Sequence, residues 1–173
     1  MTPDTDFWYP SVEDILWVHE GIIDDDPEAE PGIRDEEQIE FAISYVSEGH
    51  FGEVPETIHE KAFHLMRLLA ANHYFVDGNK RTALGTTNLF YEFNGYELDY
   101  GDDLRALLKI FSVRQEMIDE SVATEYMEEK TEWVGEITEE DLRQLKILEV
   151  IMAIGEALVN DHDDYTPSET REE

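Results

Sequence analysis

The chain has 173 residues, 41% of them hydrophobic, which is enough to enclose the core of one domain with an appendage. Its 43 acidic and 12 basic side chains give a formal net charge of -31, a long-range field of the wrong sign for direct binding of nucleic acid or an anionic membrane. There is no cysteine, which excludes disulfides and thiolate zinc sites, and no apolar run approaches the ~18 residues that a membrane helix needs.

The acids are spread along nearly every polar helix face and do not form one block. Such a surface stays hydrated in concentrated salt, where screening removes the self-repulsion that opposes folding. The composition therefore points to a halophilic source; the competing reading is an acidic surface that meets a basic partner. The N-terminus carries no basic region followed by an apolar core, so the expected location is cytoplasmic.

Residues 1–10, with Phe7, Trp8 and Tyr9 before Pro10, read as an irregular arm whose aromatics pack on the body. Ser11 is a good N-cap with Asp14 three residues on, and Val12, Ile15, Leu16, Val18, Ile22 and Ile23 form a helical stripe. The stripe stops at Asp24-Asp25-Asp26-Pro27, which lacks the alternating ligands and central glycine of a calcium loop and reads as solvated. Pro31-Gly32 makes a turn. Asp35 or a neighbour then starts a helix through Ile39, Phe41, Ala42, Ile43 and Val46, closed by Gly49. His50–Pro55 is an aromatic, glycine-containing connection. It leads into a segment with Ile58, Ala62, Leu65, Met66, Leu69 and Ala70 at helical spacing. His59-Glu60-x-x-x-His64 has one residue too many for a zinc helix: five residues turn the helix by about 140° net, so the imidazoles diverge. Those two and His19 read as surface or packing histidines.

The next eleven residues, HYFVDGNKRTA from His73 to Ala83, form a tight helix-loop-helix corner before the stripe Ala83, Leu84, Thr87, Phe90 and Tyr91, closed by Asn94-Gly95. His73 is expected to end one helix, Asp77 and Gly78 to form the turn, and Asn79, Lys80 and Arg81 to lie in the first turn of the next. Free backbone N–H groups and the helix dipole attract anions there, and the two cations strengthen the attraction. A histidine at the edge of such a cradle can take a hydroxyl proton, and Asp77 can hold a divalent metal against phosphate oxygens. These residue types suggest transfer of a phosphate-containing group onto a hydroxyl. Residues 61–90 hold Lys61, Arg67, Lys80 and Arg81 against the single acid Asp77, a cationic island that a buried anion-binding site would explain.

The stretch also closely resembles the signature of the Fic/Doc proteins, and its pattern His-x-Phe-x-Asp-x-Asn-Lys-Arg resembles the Doc, or death-on-curing, branch. The likeness extends through PGIRDEEQIEFAI (31–43) and NLFYEFNGYEL (88–98), covering roughly residues 10–130. It implies an all-α, Fic-like helical bundle with the active-site loop between two core helices. It also implies an enzyme that uses ATP and magnesium to phosphorylate a Ser or Thr of a protein target such as elongation factor Tu, arresting translation until a partner antitoxin restrains it. By the resemblance His73 is the base and Asp77 the magnesium site. Gly78, Asn79, Lys80 and Arg81 bind the phosphates, and Phe75 is the motif's buried anchor. Phe51, Gly52, Glu53 and Val54 occupy the place of the flap that aligns the target's backbone by strand-like pairing.

The family's AMP-transferring members read Gly-Asn-Gly-Arg-x-x-Arg after the turn; here the second glycine is Lys80 and the second arginine position is Leu84. Lys80 would crowd the nucleotide's diphosphate and Leu84 removes a phosphate clamp, which favours phosphate transfer over AMP transfer. Ser44 to Glu48-Gly49 fits the inhibitory pattern of some Fic enzymes, but the arginine it would pair with is Leu84, so an ordinary helix end is expected. The alternative of another class is a non-catalytic, anion-binding regulatory protein.

Beyond Gly95, Leu104–Val113 and Met117–Met127 read as two further helices, with Leu104, Leu107, Leu108 and Phe111 facing the core. After Gly135 a capping box, Thr138 to Asp141, opens a helix with Leu142, Leu145, Leu148, Met152 and Leu158 on one face. That helix is expected to pack on the core or to pair with its copy in a homodimer. The expected layout is an arm at 1–10, a catalytic domain at 11–130, a helical extension at 131–160 and an acidic mobile tail at 161–173.

Overall fold

A computed structural model of the chain describes residues 6–135 and, beyond them, 138, 140, 141 and 144. The chain divides into two compact units, residues 1–136 and 137–173. The first unit runs α1 (Val12–Asp24), α2 (Glu36–Glu48), α3 (Ile58–Ala71), α4 (Asn79–Phe93), β1 (Tyr96–Leu98), α5 (Asp102–Arg114), a 3-10 turn (Gln115–Met117), α6 (Glu120–Glu129) and β2 (Thr131–Trp133). The protein is all-α in class.

α3 is the central helix. Ten of its 14 residues are buried, and it packs against α2, α4, α5 and α6. Its start is fully capped: the Thr57 hydroxyl accepts from Glu60 N–H, and the Glu60 carboxylate accepts from Thr57 N–H at 3.0 Å. Because α3 is enclosed on most sides, its polar residues must find partners inside. Lys61 donates from Nζ to the Val46 carbonyl at 2.7 Å and sits over the rings of Phe7 and Tyr9; burial lowers its pKa. His64 lies between Glu120, at 2.7 Å from Nε2, and Arg67, at 3.1 Å from Nδ1. The Arg67 guanidinium can only donate, so His64 Nδ1 is the bare nitrogen and Nε2–H points at Glu120.

These partners dissolve the cationic island expected from the sequence. Lys61 and Arg67 are structural cations of α3, one under α2 and the aromatic arm, the other bonded to Gln115 and His64. Only Lys80 and Arg81 stand at the corner. A count of charge along the chain carries no direction, and a helix turns successive cations to different faces.

The aromatic arm packs on the body as expected: Trp8 stacks on Phe93 at 4.5 Å, and Asn94 bonds both the N–H and the carbonyl of Trp8. α1 crosses α4 at Gly85, where a Cβ would stand 2.9 Å from Val18 Cγ1. The helical reading missed a two-stranded antiparallel sheet that pairs Tyr96 with Trp133 and Leu98 with Thr131, so the strand at 131–133 belongs to the first unit.

In the second unit, Thr138 and Asp141 form their reciprocal cap, with Thr138 N–H on the Asp141 carboxylate at 2.7 Å. Leu142, Leu145, Leu148, Met152 and Leu158, the homodimer they were expected to form, and the acidic tail at 161–173 lie outside the described residues. No described helix is long and apolar enough to cross a membrane.

Candidate active site

The corner between α3 and α4 departs from its expected form at once. α3 ends at Ala71, and His73 lies two residues beyond it in the left-handed region, φ 51°, exposed to solvent. For a histidine that conformation costs on the order of 1–2 kcal/mol, which the surrounding structure must offset. Among the described residues the imidazole has no hydrogen-bond or ring partner.

What holds the loop is the short segment before α2. Arg34 N–H donates to the Tyr74 carbonyl at 2.7 Å, Val76 N–H to the Gly32 carbonyl at 2.9 Å, and Ile33 faces Phe75 in an antiparallel bridge. Phe75 is fully buried. Asn79 closes the loop from the other side: its side chain accepts from Phe75 N–H and donates to the Phe75 carbonyl, both at 3.0 Å. Its amide is therefore committed to the loop, and only its backbone N–H faces the helix entrance.

The entrance of α4 is built differently from the others. Gly78 is its N-cap in the left-handed region, φ 75°, with no side-chain cap, and the first turn contains no acid. Every other described α-helix has an acidic residue in its first turn. The first-turn N–H groups thus point outward from a positive helix end with no partner among the described residues, while Gly78 N–H is taken by Asp77. Lys80 is exposed and has no ion-pair partner among the described residues. Arg81 does have one: its guanidinium meets the Asp26 carboxylate at 2.8 Å and that of Asp77 at 3.8 Å. Asp26 belongs to the acidic triplet that reads as a solvated loop in sequence; 55 residues separate it from Arg81, and no local pattern links them.

Asp77 accepts from Gly78 N–H at 2.6 Å and from Glu30 N–H at 3.4 Å. Those two bonds, then Arg81 and His19, hold its carboxyl below the usual range, so it is anionic at neutral pH. Among the described residues no three acidic or histidine side chains converge as a ready-made metal cage. A single exposed carboxylate suits magnesium if phosphate oxygens and water supply the remaining ligands, which fits a metal arriving with a nucleotide.

Of the expected flap residues Phe51–Val54, Phe51 and Gly52 form the two-residue loop of a hairpin closed by His50 and Glu53, which exchange backbone bonds at 2.9 and 3.0 Å, and Val54 follows it. Phe51 (φ 53°) and Gly52 (φ 85°) are both at positive φ, as a type I′ turn requires, and the Phe51 ring is 97% exposed. Glu48 ends α2 beside its Gly49 cap, and Leu84 is half-buried against the core, so no cation waits for that glutamate there.

One of the histidines that read as surface or packing residues proves to pack against the motif itself. His19, on α1, is buried directly behind the motif, its ring stacked on Phe75 at 3.8 Å. A lone histidine in a helical stripe gives no sign of this; its position one turn before Ile22 and Ile23, which with it enclose Gly78, becomes visible only in the fold.

Residues 9–91 match the sequence model of the Fic/DOC family. The interval takes in the four helices from α1 into α4 and the whole corner. No curated protein matches the chain. Proteins of that family are generally transferases that use a nucleotide to modify protein targets.

Proposed function

We propose, from the Fic/DOC kinship of residues 9–91, that the protein is a Doc-like transferase moving the γ-phosphate of ATP to a Ser or Thr hydroxyl of a protein such as elongation factor Tu, with a partner antitoxin that restrains it. The observation that carries this reading is the first turn of α4, which holds no acid and no side-chain cap, with Lys80 on it and His73 across the loop both without a partner among the described residues. The nucleotide's phosphates lie against the first-turn N–H groups, and Lys80 balances their charge. Arg81 adds a bidentate grip once it exchanges Asp26 for phosphate. Asp77 would hold a magnesium ion arriving with the nucleotide, and the ion would supply charge neutralisation at the phosphate oxygens. His73 accepts the proton of the target hydroxyl as its oxygen forms the new bond to phosphorus. The bond from the γ-phosphorus to the bridging oxygen breaks and ADP leaves. The hairpin His50–Glu53 and the adjoining Val54 offer backbone edges and the exposed Phe51 at the tip to hold the target segment.

AMP transfer is the second reading. It needs a second cationic clamp where Leu84 packs on the core, which weighs against it. Mass spectrometry of the treated target separates the two, because a phosphate and an adenylate add different masses. If wild-type protein and His73→Ala arrest translation equally, both give way to a regulatory, non-catalytic role. The -31 charge suits a cytoplasm rich in salt. A melting temperature that falls as potassium chloride is raised would sink that part of the proposal.

A further inference from the structure

His19 is 6% exposed, and both faces of its role are visible. Its ring lies nearly parallel to Phe75, 14° between planes, and its Nδ1 is 3.0 Å from the Thr82 hydroxyl, on the fourth residue of α4. The other nitrogen, Nε2, is buried without a hydrogen-bond partner. Leaving a ring nitrogen unpaired in the interior costs stability, and a phenylalanine would stack on Phe75 without that cost. Besides its charge interaction with Asp77, the imidazole supplies a contact that a phenyl ring cannot, the hydrogen bond between Nδ1 and the Thr82 hydroxyl.

Thr82 is fully buried, and its N–H closes the first hydrogen bond of α4, to the Gly78 carbonyl at 2.8 Å. The His19 ring thus touches the two parts of the motif that must keep register: the Phe75 anchor behind His73 and the first turn that carries Lys80 and Arg81. We infer that His19 is a positioning residue, wedged between Phe75 and Thr82, that fixes the rotation of the α4 entrance against the loop bearing His73. It touches neither nucleotide nor target. Its effect on turnover rests on the transferase reading, but its effect on the loop does not.

The test uses the full chain with His19→Phe, Thr82→Val, the double variant and Thr82→Ser. Amide hydrogen exchange across residues 75–82 of the free protein is the first readout. His19→Phe and Thr82→Val should each speed exchange there about five- to tenfold, the double variant no further, and Thr82→Ser not at all. Melting temperature, read alongside, shows that each variant is folded. In the transfer assay the same variants should lose about 10- to 100-fold in kcat with little change in KM for ATP, again restored by Thr82→Ser. Wild-type exchange rates in both single variants would overturn the inference, as would losses that add in the double variant. If exchange responds as expected while the wild type transfers nothing, the transferase reading fails and the positioning role stands.

Discussion

Two core helices begin in opposite ways. α3 starts with a hydroxyl and a carboxylate that satisfy each other's backbone N–H groups, whereas α4 starts with a left-handed glycine, no side-chain cap and a lysine without an ion-pair partner among the described residues. The two lie side by side in the same core. The first arrangement serves stability alone. The second withholds a stabilisation that the chain supplies at every other described helix start, at least as an acid in the first turn, and it does so where His73 and Asp77 stand close in sequence. An open helix end beside an exposed histidine is what the proposed anion site requires.

The contrast can be broken by substitution. The largest effect is expected from His73→Ala: transfer to the target falls about 10²–10⁴-fold while the melting temperature holds, since the imidazole has no hydrogen-bond or ring partner among the described residues. Next comes Lys80→Glu, which gives α4 the acidic first turn its neighbours have. ATP affinity, measured by calorimetry, should drop about 10-fold or more, with no loss of thermal stability. Thr57→Ala at the other helix start should do the reverse, lowering stability by about 1 kcal/mol in denaturant titration and leaving ATP affinity alone. Asp26→Asn frees Arg81 from an exposed pair, and ATP affinity should rise by up to about fivefold.

The smallest effect is a pH dependence on the stable side. Burial, partly opposed by Glu120 and Glu60 and aided by Arg67, lowers the pKa of His64. The fold therefore prefers the neutral ring, so its contribution is complete above about pH 6.5 and fades as pH falls. His64→Gln should show a shallower loss of melting temperature than the wild type between about pH 7.5 and pH 5.5.

Much of the scaffold is readable from local pattern. Ser11 with Asp14, Asp35, Gly49 and Asn94-Gly95 mark helix ends within one residue, because caps are chemistry between near neighbours. The corner and its cations are also local. What escaped is pairing at a distance. Tyr96–Leu98 and Thr131–Trp133 are too short to show alternation, and each is a strand only because the other is there. Asp26 finds Arg81, and His19 finds Thr82, across 55 and 63 residues. The four basic residues between Lys61 and Arg81 read as one island, yet two of them serve the interior of α3.

Lys61 carries a practical lesson about the first ten residues. Its ammonium is sheltered by Phe7 and Tyr9, so a clone trimmed to begin at Pro10 would strip the roof from a charged amine in the first turn of the central helix. The arm that looks dispensable on a sequence map is a lid over that amine. Purification tags belong ahead of it, never in its place.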